Sequence, residues 1–409
     1  IGPVAPVGQT VLWPEVEWEV ELETDADLIY ELVYEDGEEY SSAQGIVVAA
    51  LKPTWPIGEA GPRAVLISLD TVRADVLGLY GATGNLSPAI DRLGARGWVF
   101  ENAYSTSSWT LPSHISMLTG FWPARHAIEG RDRTYSRHNL SLARSLRQAG
   151  YWTEAWTEGG FVDARFGYAH GFDRYVVLPL NHMLREGVSG ALDTLGKSSG
   201  PTFLFLHSYQ AHAPYDPDPS VFADLSGGIS PEALPSRSEM WAWMEEWRRD
   251  GKRLPQERLD LLFAAYRAGI PRVDRLIGDF LEGLEVLPSA SNEVIVLTSD
   301  HGDVFQERSD LLEHGNELQP ELLHVPLIVA TGDGRDHGRR TEVASIADIP
   351  ATILSLLGEP GIESDGRALL GIAAEGLPAR AFVEASVQPP FEASYRVAEI
   401  AASHVDTVR

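Results

Sequence analysis

Four side chains that could bind a divalent cation lie far apart in the sequence. Asp70 and the pair Asp300-His301 each follow directly after an apolar run, and Thr110 stands at the start of a stretch with helical character. Two carboxylates and an imidazole are a sensible ligand set for one divalent ion, which the oxygen of Thr110 could complete. Coordination would lower the pKa of that hydroxyl and turn it into a usable nucleophile toward an ester.

The ligand types favour zinc as the cation. Zinc accepts mixed nitrogen and oxygen ligands, whereas calcium and magnesium prefer fewer imidazoles. We therefore expect one or two zinc ions, with manganese, magnesium or calcium as alternatives.

A second group of imidazoles could act beside this set. His207, His212 and His314 could hold another ion or protonate a leaving oxygen, and two cations would clamp both oxygens of an in-line displacement. His114 follows Thr110 by four residues, on the same face of the predicted helix. It could contact the anion, or it could be structural, as single histidines often are.

The stretch around Thr110 predicts a loop that turns into a short helix. Pro112 suits a first turn, Ile115 and Leu118 make a helical apolar step, and Gly120 is a plausible stop. The free N–H groups of such a helix end form a cradle for a phosphate or sulfate. The alternative is that Thr110 is an ordinary helix cap.

The elements that must position these residues predict a doubly wound α/β domain with a largely parallel sheet. Strands are expected at residues 64–69, 98–100, 151–157, 203–206, 294–298 and 325–330, and helices at 88–96, 140–149, 236–285 and 348–357. Open sheets of this kind place ligands beyond the carboxyl ends of their strands. Asp70, His207 and Asp300 should therefore meet at one edge.

The composition narrows the possible partners. The 409 residues carry a formal net charge of −27, so extended nucleic-acid binding is not expected, whereas a small anionic ester fits a locally positive pocket. The chain has no cysteine, which excludes disulfides, thiolate zinc sites and a cysteine nucleophile. Nothing in the sequence indicates the oligomeric state.

The sequence divides into three predicted parts. Residues 1–56 predict an N-terminal β module, in which apolar and acidic residues alternate around Val16–Leu22 and Glu35–Gly37 could turn a hairpin. Residues 57–63 are a predicted linker, and residues 64–409 form the catalytic domain. Within that domain, 216–260 is expected to be a helical insertion or lid, with a tryptophan cluster at 241–247.

Location is inferred from two features. No uninterrupted apolar run is long enough to span a bilayer, and the sequence begins with Ile1 in place of Met. We expect a soluble periplasmic or secreted protein with a trimmed terminus.

Several stretches in fixed order resemble the motifs of the sulfatase family within the alkaline phosphatase superfamily. They are Val65–Asp75, Ser87–Leu93, Trp109–Gly120, His207–Tyr215, Thr298–Asp303, Glu313–Gly315, His324–Ile328 and Ser345–Gly358. The resemblance spans about Ala64 to Leu370 and implies a doubly wound fold and a metal-dependent ester hydrolase. The roles that it implies are nucleophile for Thr110, metal ligand for Asp70, Asp300 and His301, and leaving-group contact for His212, His207 and His314.

The chain also departs from the family pattern. Typical sulfatases carry Cys or Ser, then Pro or Ala two residues later and Arg four later, a signature that allows oxidation to formylglycine. Thr110, Pro112 and His114 stand at these positions, so we expect no formylglycine. Thr71 replaces the usual second Asp, and Glu158–Gly160 stands near the place of the family's Gly-Lys-Trp-His segment.

These departures bear on the substrate. A formylglycine hydrate expels sulfate by collapsing to the aldehyde, which an unmodified threonine cannot do. A threonine nucleophile beside an Asp-His metal pair is similar to the nucleophile of the superfamily's phosphodiesterases and phosphotransferases. This similarity favours a phosphodiester or a phosphonate ester as the substrate. The alternatives are a sulfatase working without formylglycine, a phosphotransferase, and an inactive binding protein.

Overall fold

The structure is a computed structural model. It describes residues 61–371 apart from 137–139, 181, 199, 227–233, 289, 291, 316, 333 and 335–336, together with 32–36, 39–43, 374, 385–386, 397–401 and 404–408. The predicted strand around Val16–Leu22 lies outside the described residues.

Strands and helices alternate along most of the described chain. The strands are β1 (Leu32–Asp36), β2 (Glu39–Ala43), β3 (Arg63–Leu69), β4 (Trp98–Tyr104), β5 (Trp152–Thr157), β6 (Arg174–Val177), β7 (Thr202–Ser208), β8 (Glu293–Thr298), β9 (Val304–Phe305), β10 (Leu312–Glu313), β11 (Leu327–Thr331), β12 (Gly338–Ser345), β13 (Val397–Ala401) and β14 (His404–Val408). The α-helices are α1 (Pro88–Ala95), α2 (Thr110–Thr119), α3 (Pro123–His126), α4 (Leu142–Gln148), α5 (Val188–Lys197), α6 (Pro219–Leu225), α7 (Arg237–Asp250), α8 (Gln256–Glu285), α9 (Pro320–Leu323) and α10 (Ile349–Leu357).

The central sheet has eight strands in the order β12-β4-β11-β8-β3-β7-β5-β6. β3 pairs in parallel with both β7 and β8, and the pairs β5–β7, β5–β6 and β12–β4 are also parallel. β11 runs antiparallel to β4 and β8. The expected largely parallel sheet is confirmed, with one reversed strand that an apolar run alone could not reveal.

Helices cover both faces of this sheet. Alternate side chains of β3 enter different apolar clusters: Ile67 packs in the cluster that contains Ile277 of α8, and Leu66 in the one that contains Leu111 of α2 and Ile353 of α10. Strands buried on both faces read as continuous apolar runs, as β3 does. The doubly wound α/β architecture is therefore confirmed.

Some element bounds differ from the predictions. β4 is seven residues long and continues to Tyr104, because its second half pairs with β12. The helical region expected at 236–285 is two helices. α7 ends at Asp250, and the next residue, Gly251, has the positive φ of 63° that is common just after a helix. β1 and β2 form an antiparallel hairpin where a turn was expected, while the division of the chain into modules and the lid stay predictions.

Across the part of the chain that the structure describes, no helix combines the length and apolar character needed to cross a membrane.

Candidate active site

The carboxyl ends of three neighbouring strands carry the first part of the site. In the register of the sheet, Ser68 of β3 lies opposite His207 of β7 on one side and Thr298 of β8 on the other. Asp70 directly follows β3, and Asp300 follows β8 after Ser299, so the chain emerges from all three strands at one edge. β7 extends through Ser208, two residues further than predicted, which places His207 inside the strand.

Thr110 comes to the same place from the segment that follows β4 in the chain. It is the first residue of α2, and Trp109 holds the cap position without a side-chain cap. The Thr110 hydroxyl donates toward Asp70 Oδ2 over 3.4 Å and lies 3.3 Å from His301 Nε2. The alternative of an ordinary cap is therefore wrong, because this side chain faces the acidic residues and not the helix end.

Asp70, Asp300 and His301 form a compact group that fits a cation. One ligand atom from each lies within 4.8 Å of the others, and all three residues are fully buried. Asp70 Oδ1 and Asp300 Oδ2 have no hydrogen-bond partner among the described residues. Buried carboxylate oxygens without donors are costly, and a divalent cation would satisfy both.

The electrostatics of this group point the same way. Burial, and then the neighbouring Asp300 carboxylate, raise the pKa of Asp70 well above its usual value. Burial also acts to raise the pKa of Asp300, but His301, His114 and His207 outweigh it and lower that pKa. Burial lowers the pKa of His301 to about 4, which leaves a neutral imidazole able to bind a metal. Two close carboxylates favour one negative charge unless a cation compensates the second.

Backbone donors fix the orientation of Asp300. Its Oδ1 accepts hydrogen bonds from the N–H groups of Thr71 (3.2 Å) and His301 (2.8 Å). Thr71 has φ +60°, an uncommon conformation for a β-branched residue, and its hydroxyl donates to the carbonyl of Asp70 at 2.7 Å. The side chain at the place of the family's second Asp is thus turned to the backbone, and its N–H serves the site.

His114 is a buried neutral support for Thr110. Its Nδ1–H donates to the Thr110 carbonyl at 2.9 Å, because a carbonyl only accepts, and its Nε2 then accepts from the Ser68 hydroxyl at 2.9 Å. Burial lowers the pKa of His114. Both ring nitrogens have protein partners, so the structure offers no support for an anion or metal contact by His114.

The other three imidazoles line one side of the site. His207 Nε2 lies 3.4 Å from Asp70 Oδ2. The ring of His314 lies 4.5 Å from that of His301 and 5.1 Å from that of His212, measured between centroids. Among the described residues they form no second three-ligand group as compact as the first. Their role as a second metal site stays a prediction, as does their leaving-group role.

Asp303 orients His314. The Nδ1–H of His314 donates to Asp303 Oδ1 at 2.6 Å, and Tyr215 donates to the other oxygen at 3.0 Å. Glu313 instead accepts two hydrogen bonds from Arg248 of α7, at 2.9 and 2.5 Å. The sequence placed Asp303 in a motif but gave it no role, although it lies two residues after His301.

Sequence reasoning also missed Tyr209 and Glu158. The ring of Tyr209 lies 4.6 Å from that of His207. Burial, and then Asp70, raise the pKa of Tyr209 well above its usual value, while the Phe161 N–H, which donates to the phenol oxygen, acts to lower it. Glu158 accepts hydrogen bonds from the N–H groups of Tyr209 and Met183 at 2.6 and 3.0 Å. Glu158 therefore holds the backbone where the family has a different motif.

The Sulfatase family model matches residues 62–359 of the chain. The chain belongs to the sulfatase family. This assignment confirms the resemblance and covers every residue of the site described above. Sulfatase-family enzymes use a divalent metal, and the buried Asp70, Asp300 and His301 are suited to hold one.

Curated relatives within this family are distant in sequence. An arylsulfatase of Clostridium perfringens is 25% identical over 361 residues, which cover 72% of this chain and 74% of the relative. A multifunctional alkaline phosphatase superfamily protein of Trinickia caryophylli is 25% identical over 403 residues and covers 77% of each chain. The chain is thus a sulfatase-family ester hydrolase.

Solved structures share the fold. A protein solved with its substrate D-glucosamine-2-N,6-O-disulfate superposes with a TM-score of 0.66 at 17% identity, over 84% of this chain and 87% of the other. The phosphonate monoester hydrolase of Agrobacterium radiobacter gives a TM-score of 0.62 at 18% identity, over 80% of each chain. At these identities the similarity establishes the sulfatase-like fold alone.

Proposed function

We propose that this protein is a metal-dependent hydrolase of phosphate diesters or phosphonate monoesters in which Thr110 is the nucleophile. The observation that carries the proposal is the position of the Thr110 hydroxyl, 3.4 Å from Asp70 Oδ2 and 3.3 Å from His301 Nε2. It combines an unoxidised alcohol with a cation site. Direct attack by an alcohol suits phosphoryl and phosphonyl centres, whereas the formylglycine route to sulfate esters is closed to Thr110.

The chain's own residues can activate the alcohol. Asp70 Oδ2 accepts the hydroxyl proton while Oγ1 of Thr110 attacks phosphorus. When bound by Asp70, Asp300 and His301, a divalent cation lowers the pKa of the hydroxyl and draws negative charge from the ester. The N–H of Thr71 and the imidazole of His114 keep these groups in place.

The leaving group departs toward His212 and His314. These two side chains are partly exposed, whereas Asp70, Asp300 and His301 are fully buried, so the site opens on the side of the two imidazoles. As the bond between phosphorus and the leaving oxygen breaks, that oxygen takes a proton from an imidazole. Water then gives its proton to the same imidazole and attacks phosphorus, and Thr110 recovers its proton from Asp70.

A rate comparison tests the proposal. Protein of measured metal content is assayed with a phosphate diester, a phosphonate monoester, a phosphate monoester and a sulfate monoester that share one nitrophenyl leaving group. We expect the diester or the phosphonate to react fastest. Thr110→Ala should lower kcat/KM by at least about 10³-fold without loss of metal, and Thr110→Ser should keep part of the activity. Equal rates in the wild type and Thr110→Ala would remove Thr110 from the mechanism.

A sulfate-ester hydrolase is the second candidate. The similarity to the arylsulfatase of Clostridium perfringens favours it. In addition, a sulfate monoester carries the same single negative charge as a phosphate diester. It would require a sulfated Thr110 that water hydrolyses directly. The fastest turnover with the sulfate ester in the same comparison would select this candidate over the first.

A further inference from the structure

Tyr209 lies inside the active site but has no part in the reaction described so far. It directly follows β7, and 9% of its surface is exposed. Its ring is edge-on between two imidazoles, 4.6 Å from His207 and 5.3 Å from His212. His207 Nε2 in turn lies 3.4 Å from Asp70 Oδ2, the oxygen toward which the Thr110 hydroxyl donates. Tyr209 therefore lies beside the imidazoles that line the site.

The proton of this phenol remains available. The N–H of Phe161 donates to Tyr209 Oη at 3.1 Å, and because an amide N–H only donates, the phenol oxygen is the acceptor there. The phenol hydrogen therefore points away from Phe161 and can be donated to another acceptor. A fixed neutral donor within an active site can stabilise charge as it develops on a reacting group.

The segment Glu158–Phe161 is built around this phenol. Gly160 has φ +62°, and a Cβ at this residue would lie 2.6 Å from Tyr209 Oη, so a larger residue would displace the hydroxyl. Glu158 accepts the Tyr209 N–H at 2.6 Å and fixes the backbone of the same residue. Glu158 therefore fixes the backbone of Tyr209, and the Phe161 N–H fixes its hydroxyl. Packing of the ring alone would need neither hydrogen bond.

Among the described residues, no lysine could donate a hydrogen bond to the reacting group in place of Tyr209. The two that the structure describes, Lys197 and Lys252, are exposed on the surface, and Lys197 pairs with Asp193. Within the described part of the chain, no lysine ammonium group is therefore buried in the site, in a protein of net charge −27. A neutral hydrogen-bond donor offsets less negative charge on a bound group than an ammonium group does. It therefore suits a group with one negative charge better than a group with two.

We propose that the phenol of Tyr209 donates a hydrogen bond to a nonbridging oxygen of the group attacked by Thr110, and that it favours reacting groups with a single negative charge. This inference rests on the proposed function, because it needs Thr110 as the attacking residue. It makes Tyr209 a catalytic residue and a determinant of specificity against phosphate monoesters, which carry two charges.

Tyr209→Phe is the direct test, because it removes the hydroxyl and keeps the ring between the imidazoles. We expect kcat/KM for the best singly charged ester to fall by about 10²–10³-fold, with metal content and melting temperature close to those of the wild type. The preference over the phosphate monoester should shrink. Tyr135→Phe is the matched control, since that buried phenol donates to the Leu140 carbonyl away from the site, and its activity should be unchanged.

A binding measurement separates this inference from the proposed function. Orthovanadate is singly charged at neutral pH and takes up the geometry of an attacked phosphoryl group, and calorimetry gives its affinity. Tyr209→Phe should weaken binding by about 10-fold or more, and Gly160→Ala, which displaces the hydroxyl, should do the same. A wild type that hydrolyses none of the esters would refute the proposed function, and the vanadate affinities would still decide the role of Tyr209.

Two results would overturn the inference. One is a Tyr209→Phe variant with the rates and the vanadate affinity of the wild type. The other is a loss of activity that runs parallel to a loss of metal, which would show that Tyr209 only supports the structure.

Discussion

Replacing Asp70 by Asn should make the metal-free protein more stable and should reduce the stability that the protein gains when it binds a metal. Asp70 and Asp300 lie in one fully buried group whose ligand atoms are within 4.8 Å of one another. Asp70 Oδ1 and Asp300 Oδ2 have no hydrogen-bond partner among the described residues. Without a cation this arrangement costs stability, and with a cation it provides the binding energy.

The magnitude follows from the separation. Two unit charges 4.8 Å apart repel by about 3.5 kcal/mol at an effective dielectric constant of about 20. Protonation of Asp70 relieves part of this, since the neighbouring Asp300 raises its pKa. We expect Asp70→Asn to raise the free energy of unfolding in chelator by about 1–3 kcal/mol. The wild type should gain about 2.7 kcal/mol from a metal at 100 times its Kd, and the variant less than about 1 kcal/mol.

Urea unfolding followed by tryptophan fluorescence measures both quantities, in chelator and with zinc or manganese. Asp274→Asn is the matched control, because that buried carboxylate is fully used in accepting the N–H groups of Ala89 and Ile90 at the start of α1. It should lose about 1–2 kcal/mol equally with and without metal. An Asp70→Asn variant no more stable than the wild type in chelator, with an unchanged metal response, would refute the assignment of the cation site.

Two further predictions concern His126 and Asp303. Burial lowers the pKa of His126 to about 3, so below pH about 6.5 the unfolded chain binds a proton that the folded chain does not. Relative to His126→Gln, the wild type should lose about 2.5 kcal/mol of unfolding free energy between pH 7 and pH 4.5 in urea unfolding, and a constant difference would contradict this. Asp303→Asn removes the carboxylate that holds His314. Because an alkoxide leaving group needs a proton more than a nitrophenolate does, kcat/KM should fall more for an alkyl ester than for a nitrophenyl ester. Asp75→Asn, at an exposed carboxylate, is the control, and an equal fall for both esters would show that His314 does not protonate the leaving group.

The sequence predicted the edge of the sheet where the site lies. Asp70 and Asp300 follow apolar runs, and neighbouring parallel strands bring their carboxyl ends together whatever the loops do. The position of Thr110 was predictable only through the family motif, because its distance from Asp70 depends on how β4 and α2 are placed. A helix start by itself could equally have been a cap.

The side chains that support the site were not predictable from spacing. Glu158 lies far from Tyr209 in the sequence, and their contact exists only because β5 and β7 are neighbours in the sheet. Glu313 stands next to His314 in sequence, yet its side chain pairs with Arg248 of α7. Neighbours in the chain therefore need not be hydrogen-bond partners in the site. The reversed direction of β11 had no signature in its apolar run.

The central claim is that the reacting group is transferred to Thr110. Trypsin releases residues 97–125 as one peptide, since no Lys or Arg lies between Arg96 and Arg125. Rapid acid quenching during turnover, followed by mass spectrometry of this peptide, should reveal a phosphoryl, phosphonyl or sulfuryl ester, and fragmentation should place it on Thr110. An unmodified peptide in the wild type during steady turnover, or an adduct that persists in Thr110→Ala, would contradict the account.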